Sequence, residues 1–391
     1  MDISIYFDPV DPSTIGFKQP EARERIGDIF QTFWHEHQFP EIEGIDIALF
    51  GINEDRRAHQ NEGCSMAPDF IRQRLYSLFP GDPKIKVADL GNIKRGHTIE
   101  DTFFAVRSAV AELVKMGIFP ILIGGSQDIT LANYQAYESL GQIINIVNVD
   151  AEFDIGESEN DISSRAFLSK IILQQPNYLF NYTNIGYQTY FVDQDAIRLM
   201  KNLFFDIYRL GDVRADMKEV EPLIRNADIL SFDVSAIRAS DAPGNNNATP
   251  NGFYGEEACQ IMRYAGLSDK ITSLGIYEYN PKLDRGGQTA FLIAQMIWYF
   301  IEGFYMRNRE YPNRDLKNYI KYNVRVEGQK DGIIFYKSRQ SQRWWMEVNC
   351  SKDQRLKYER HYLIPCSLKD YETACDNDVP DRWWQAYQKL M

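Results

Sequence analysis

Three aspartates close apolar, strand-like runs: Asp150 and Asp154 in NIVNVDAEFD, and Asp233 in ILSFDVS. With GGSQD at 124–128 they outline a carboxylate cluster at one end of a sheet. Oxygen donors grouped in this way suit a hard cation such as Mg, Ca or Mn. Without a cation they are costly, because carboxylates about 4 Å apart repel by roughly 4 kcal/mol per pair at an effective dielectric of about 20. Imidazole is scarce around them. The histidines are His35, His37, His59, His97 and His361, and none lies between His97 and His361, the span that holds every strand-end motif.

The elements that must position these groups are readable as an alternation. IDIALFGI (45–52), KVADLG (86–91), FPILIGG (119–125), IINIVNVD (143–150), NYTNIGYQ (181–188), FDIYRLGD (205–212), ADILSFDVS (227–235) and ITSLGIYEYN (271–280) read as strands. Between and after them, APDFIRQRLYSLF (67–79), TIEDTFFAVRSAVAELVKMG, ITLANYQAYESL, SRAFLSKIIL, GEEACQIMRYAG and TAFLIAQMIWYFIEGF read as helices. Short apolar strands alternating with helices call for an α/β fold, a mostly parallel central sheet covered on both faces. In such sheets ligands gather beyond the carboxyl ends of the strands, where the three aspartates stand.

Near residue 303 the pattern changes. A polar, tyrosine-rich stretch leads to GIIFYKSRQSQRWWMEV (332–348), which reads as two short strands around a polar turn, and a short helix follows Pro380 with Asp378 or Asp381 as its cap. The expected organisation is an α/β domain over 1–302 with a small α+β extension over 303–391 packed on it.

Composition narrows the function classes. A chain of 391 residues with 44% hydrophobic content can bury a large core. Its net charge of -12 supplies no surplus of Lys and Arg for displacing counterions, which argues against nucleic acid as a partner. No run approaches the roughly 18 apolar residues of a membrane span, and no basic region followed by an apolar stretch opens the chain, so no membrane partner is expected. Cys64, Cys259, Cys350, Cys366 and Cys375 are scattered, without CxxC, and fit reduced thiols in the cytoplasm.

The succession GGSQD, DAEFD, SFDVSAIRASDAP and YEYNPKLDRGGQTA resembles, in order and spacing, the arginase, agmatinase and formimidoylglutamase family of dimanganese hydrolases. The family motifs read GGDHS, DAHxD, SFDxDxxDP and a Glu-x-Asn/Ser-Pro segment before the last core helix. The stretch ALFGINEDRRAHQNEGCSMAPDFIR (48–72) is similar to the formimidoylglutamase branch in its NxGCxxAPDxIR part. The resemblance spans about residues 45–302 and implies a three-layer α/β/α arginase-like fold.

It also implies a ligand set, carried over unevenly. Asp150, Asp154 and Asp233 stand at aspartate-ligand positions, whereas Gln127 replaces the GGDHS histidine, Glu152 the DAHxD histidine and Ser235 the second aspartate of SFDxD. One ion would see Gln127, Asp150, Asp154 and Asp233; the other would see Asp150, Glu152, Asp233 and Ser235. The implied cofactor is none, or one hard divalent cation (Mn, Mg or Ca), rather than the full dimanganese pair. Arg165, Arg238 or Arg285 could replace metal altogether as an internal counter-ion. Glu278 of YEYNP matches the glutamate that receives the guanidinium or formimino group of the substrate; the competing reading is a structural carboxylate paired with Arg285 or a backbone amide. Phe167 stands where the arginase branch carries a proton-shuttling histidine, so that role is absent.

Other features have structural readings. GGSQD lacks the GxxxxGK[ST] spacing, which leaves Gly124 and Gly125 as a tight strand-to-helix turn. His35 and His37 read as a surface segment, Cys64 as a buried thiol and Asn245–Asn247 as a polar loop tip. Trp344, Trp345, Trp383 and Trp384 either stitch the extension onto its own domain or anchor a partner or lid the site.

Two functions follow from the resemblance. One is a non-catalytic relative that keeps the fold for binding or assembly, with the extension as contact surface for a protein partner or a homo-oligomer. The other is a hydrolase of a guanidino or formimino compound that uses Asp154 and Glu278 with an oxygen-only metal site.

Overall fold

The apolar runs form strands because Ile, Val and Phe pack well on a pleated surface and turn residues bound each run. The computed structural model describes residues 2–15, 24–35, 37–81, 84–156, 163–312, 316–327 and 332–390. Two short strands, β1 (Phe7–Asp8) and β2 (Gln31–Thr32), precede the regular alternation. The main series is β3 (Ile47–Ile52), β4 (Val87–Ile93), β5 (Phe119–Ile123), β6 (Ile144–Val149), β7 (Leu179–Tyr187), β8 (Asp206–Arg209), β9 (Ile229–Asp233) and β10 (Ser273–Tyr277). They order as β1-β4-β3-β5-β10-β9-β6-β7-β8, with β2 beside β4. Among the described residues of this sheet, only β1 pairs antiparallel.

Both faces of this sheet are covered, which is why β3, β5, β6, β9 and β10 are buried at every residue instead of alternating. One apolar layer joins the sheet to the Ala67–Leu75, Gly255–Leu267 and Gln288–Tyr305 helices; the other joins it to Ile99–Lys115, Ile129–Ser139 and Phe167–Leu173. In the Gln288–Tyr305 helix Ile293, Met296, Ile297 and Phe300 are all 0% exposed, each removing about 1.5–3 kcal/mol of apolar surface from water. The expected three-layer α/β/α architecture is present.

One predicted strand is shorter than expected. FDIYRLGD extends only to Arg209, and Leu210–Ala215 is helical. Leu210 and Val213, three apart, bury together in the helical form, which leaves β8 as a short edge strand.

The extension is a second, antiparallel sheet ordered β11 (Tyr319–Val324), β12 (Ile333–Ser338), β13 (Trp344–Glu347) and β14 (Leu363–Cys366). β12 and β13 are the expected pair. β11 escapes the sequence reading because it is an edge strand whose alternate residues face outward. The 303–391 stretch includes residues 313–315 and 328–331, which lie outside the described residues. The last helix, Asp381–Leu390, has Asp381 inside its first turn, while Asp378 accepts the Val379 N–H at 2.8 Å.

The extension docks on the amino-terminal rim of the sheet. Arg360 Nη2 donates to Asp228 Oδ1 at 2.6 Å at the entrance to β9. Arg225 donates to the Trp344 and Cys366 carbonyls at 3.1 and 3.3 Å and lies 4.4 Å from the Trp345 ring centroid. His361 stacks on Phe180 at 4.1 Å and bonds to the Ile143 carbonyl at 3.2 Å. Trp344, Trp345 and Trp383 are buried in the extension's own core, and Trp384 is exposed. Trp344, Trp345 and Trp383 therefore stitch the extension, and Trp384 faces outward. A lid over the strand-end site is excluded, since β6 and β9 of roughly 3.3 Å per residue separate the two rims.

Candidate active site

The register of four neighbouring strands assembles the site. β5, β10, β9 and β6 are consecutive in the sheet, and Ile123 pairs with Ile276, Ile276 with Phe232 and Phe232 with Val149. One residue beyond that row lie Gly124, Asp233 and Asp150, with Glu278 after Tyr277, on strands about 4.8 Å apart. Gly124 and Gly125 make the turn expected of them, at φ +86 and +78; a Cβ on Gly125 would lie 2.4 Å from Ile129 Cδ1 and 2.7 Å from the Glu54 carbonyl.

Asp150, Asp154, Asp233 and Glu278 are buried, at 2, 8, 8 and 3% exposure. Asp154 and Glu278 hold left-handed backbone at φ 54 and 65, a conformation that costs side-chain-bearing residues on the order of 1–3 kcal/mol and concentrates at functional sites. The Glu152 N–H donates to Asp150 Oδ1 at 2.9 Å and the Ser235 N–H to Asp233 Oδ1 at 2.6 Å. No donor among the described residues reaches the buried Asp154 Oδ2.

Glu278, like Asp150, has a donor on each carboxylate oxygen. Its Oε1 accepts the Gln127 N–H at 2.9 Å, and its Oε2 accepts Asn61 Nδ2 at 2.8 Å. A carboxylate has about four acceptor positions, so capacity remains for a further donor. Asn61 also bonds to the Glu278 carbonyl at 2.9 Å, as does Asn245 Nδ2 at 2.7 Å. The Asn245–Asn247 run is therefore not a mere loop tip. Asn245 is 4% exposed, the Asn246 N–H donates to Asn61 Oδ1 at 3.2 Å and Asn247 Nδ2 to the His59 carbonyl at 3.2 Å, because the buried polar backbone of the turn needs donors from side chains. Asn61 and Asn245 are the site residues that sequence reading missed. Asn61 opens the NxGCxxAPD motif, which was the available signal.

The three substituted ligand positions behave as follows. Gln127 Nε2 donates to Asn148 Oδ1 at 2.8 Å. The Glu152 carboxylate pairs with Arg165 at 2.9 Å and is part-exposed. Ser235 lends its backbone N–H. Among the described residues, no three or more His, Cys, Asp and Glu side chains converge on an ion-sized cage. Of the three arginines expected as counter-ions, Arg238 pairs with Asp241 at 2.9 Å and Arg285 is exposed, so Arg165 alone meets a site carboxylate. His35 and His37 are exposed, Cys64 is a buried free thiol pushed well up by burial, then by Glu278, and Phe167 is buried at the start of its helix.

With little positive charge nearby, burial pushes the acids toward their neutral forms. Asp154 and Asp233 are raised well above the ordinary range by burial and then by Asp150, and Glu278 is pushed up to about 7 by burial. Glu278 thus titrates near 7 in the fold against 4.5 when unfolded, so the folded chain binds more protons between those values and loses stability as pH rises through them. The expected result is a melting temperature higher at pH 5.5 than at pH 8 by roughly 2–3 °C. Asp154→Asn, which tolerates left-handed φ, should narrow that gap. An unchanged gap in the variant would remove the acidic cluster as its cause.

Residues 45–302 match the family described as "Arginase family". The formimidoylglutamase of Macrococcus caseolyticus is 27% identical over 273 residues, covering 66% of this chain and 85% of that protein. That of Geobacillus kaustophilus is 28% identical over 259 residues, covering 63% and 79%. Among solved structures, Trypanosoma cruzi formiminoglutamase with Mn2+2 superposes with a TM-score of 0.65 at 21% identity over 73% of this chain and 99% of that one. Formimidoylglutamase from Bacillus subtilis superposes at 0.66 and 19% identity over 75% and 96%. The structural likeness concerns the fold. The extension lies beyond the family match.

Proposed function

From the premise that the chain belongs to the arginase family, we propose that it is a formimidoylglutamase-like protein whose strand-end pocket receives a guanidino or formimino cation without hydrolysing it. The observation that carries this reading is the Arg165–Glu152 ion pair at 2.9 Å. It places an internal guanidinium beside the position where the family resemblance expects a metal-bound imidazole. Gln127 and Ser235 remove further donors from both implied ions, so the residues present do not fit a two-manganese centre.

What the pocket keeps is the chemistry of cation recognition. A planar amidinium entering it would share protons with the free acceptor positions of Glu278, and charge-assisted pairs of this kind are roughly twice as strong as neutral ones. A bound cation would favour the ionised forms of Asp150, Asp154 and Asp233, which burial otherwise pushes toward neutrality. Glu278 is held in place by Asn61 and the Gln127 N–H, which fixes the direction of its remaining acceptors.

A second reading is favoured by one observation. Asp154 Oδ2, which no donor among the described residues reaches, suits a single hard cation and with it a hydrolase of atypical, oxygen-only type. One experiment separates the two. Protein purified in manganese-containing buffer is analysed for metal, then assayed for ammonia, urea and formamide release from arginine, agmatine and formimidoylglutamate. We expect substoichiometric manganese, saturable binding of agmatine or formimidoylglutamate that Glu278→Gln weakens at least about tenfold, and no turnover. Stoichiometric manganese with turnover abolished by Asp150→Asn would reverse the conclusion.

A further inference from the structure

A cleft of about 430 Å³ opens between the Ile129–Ser139 and Phe167–Leu173 helices. Asp128, Arg57, Lys170, Leu131, Phe167 and Leu173 contribute to its walls, and none of Asp150, Asp154, Asp233 or Glu278 does. Its size lies in the range of small-molecule sites. Two of its groups are incompletely used.

Asp128 is 3% exposed. Its Oδ1 accepts the Ser126 hydroxyl at 2.5 Å, while its buried Oδ2 meets no donor among the described residues. Arg57 donates through Nη2 to Glu100 at 2.7 Å and lies 5.6 Å from the Phe103 ring centroid, yet its buried Nε meets no acceptor among the described residues. A carboxylate and a guanidinium therefore line one cavity, and they form no ion pair with each other among the described residues. Each leaves one polar atom unsatisfied. A buried polar atom without a partner is destabilising, more so when the group is charged, so a ligand that satisfies both removes that penalty twice.

We propose that this cleft binds a zwitterionic α-amino acid with an uncharged side chain. The ligand ammonium donates to Asp128 Oδ2 and its carboxylate accepts from Arg57 Nε. The side chain lies along Leu131, Phe167 and Leu173. A monovalent amine satisfies only the first contact and a monovalent acid only the second, so the cleft selects for both charges on one small molecule.

The test is calorimetric titration of the full chain with L-leucine and L-glutamine, and with isoamylamine and 4-methylvalerate, which are leucine without its carboxylate and without its ammonium. At least one amino acid should bind saturably, with Asp128→Asn and Arg57→Gln each weakening it roughly tenfold or more. Leu131→Trp fills the cleft without touching either charge and should abolish binding, which keeps the proposal testable if a charge variant misfolds. Asp150→Asn should leave the affinity within about twofold, which separates this site from the acidic pocket. Absence of amino-acid binding to the unaltered chain overturns the proposal. So does retention of binding in both charge variants, or isoamylamine binding as tightly as leucine.

Discussion

Deleting residues 310–391 is expected to leave an α/β core that is insoluble or melts far below the full chain, not a free-standing domain. The deletion strips partners from groups that the core has already buried. Asp228 is 0% exposed, and loses Arg360 at 2.6 Å while keeping Lys270 at 3.6 Å. Arg225 is 5% exposed, and loses both carbonyl acceptors and the Trp345 face. Glu219 loses Arg382 and Asp206 loses Lys389. Arg225 keeps Glu221 at 3.0 Å and Asp228 keeps Lys270, so each loses hydrogen bonds of a buried charged group, about 1–3 kcal/mol apiece, which together are a large part of the 5–15 kcal/mol by which whole domains are stable. Solubility and melting temperature of the truncated chain check this. A soluble truncation with an unchanged melt would mean that the extension is a docking module and the core tolerates its exposed rim.

Refitting the three substituted donors should have the largest effect on metal content. The combined change Gln127→His, Glu152→His, Ser235→Asp and Arg165→Ala restores the ligand types that the family resemblance implies and removes the internal cation. We expect manganese to rise from substoichiometric to about two ions per chain. Melting should also become manganese-dependent, by about 2.7 kcal/mol when free metal is a hundred times its dissociation constant. Metal analysis beside the melting curve reads both. A folded variant that takes up no more manganese than its parent would show that the pocket's shape, rather than its donors, decides occupancy.

Much of this was legible in the chain itself, for a physical reason. Asp150, Asp154 and Asp233 follow apolar runs with no alternation, the mark of strands buried on both faces, and ligand groups collect where such strands end. The sequence could not order the strands, and so could not say that β5, β10, β9 and β6 stand side by side. It named Arg165 among three arginines, but only the 2.9 Å contact separates it from Arg238 and Arg285. Asn61 and Asn245 were missed because an amide that supports a carboxylate has no periodic signature. β11 and β14 were missed because a short edge strand and a four-residue strand are too polar or too brief for a pattern of two to emerge.

The way the extension grips the rim of the sheet also bears on how the chain reaches its native state on the ribosome. Arg360 lies 132 positions after Asp228, and Lys389 lies 183 after Asp206. The strands of the α/β domain can pair as they emerge, but their basic partners are translated far later. Through that interval the nascent core carries Asp206 without its lysine, Asp228 with Lys270 alone, and an unshielded edge, the kind of intermediate that chaperones hold.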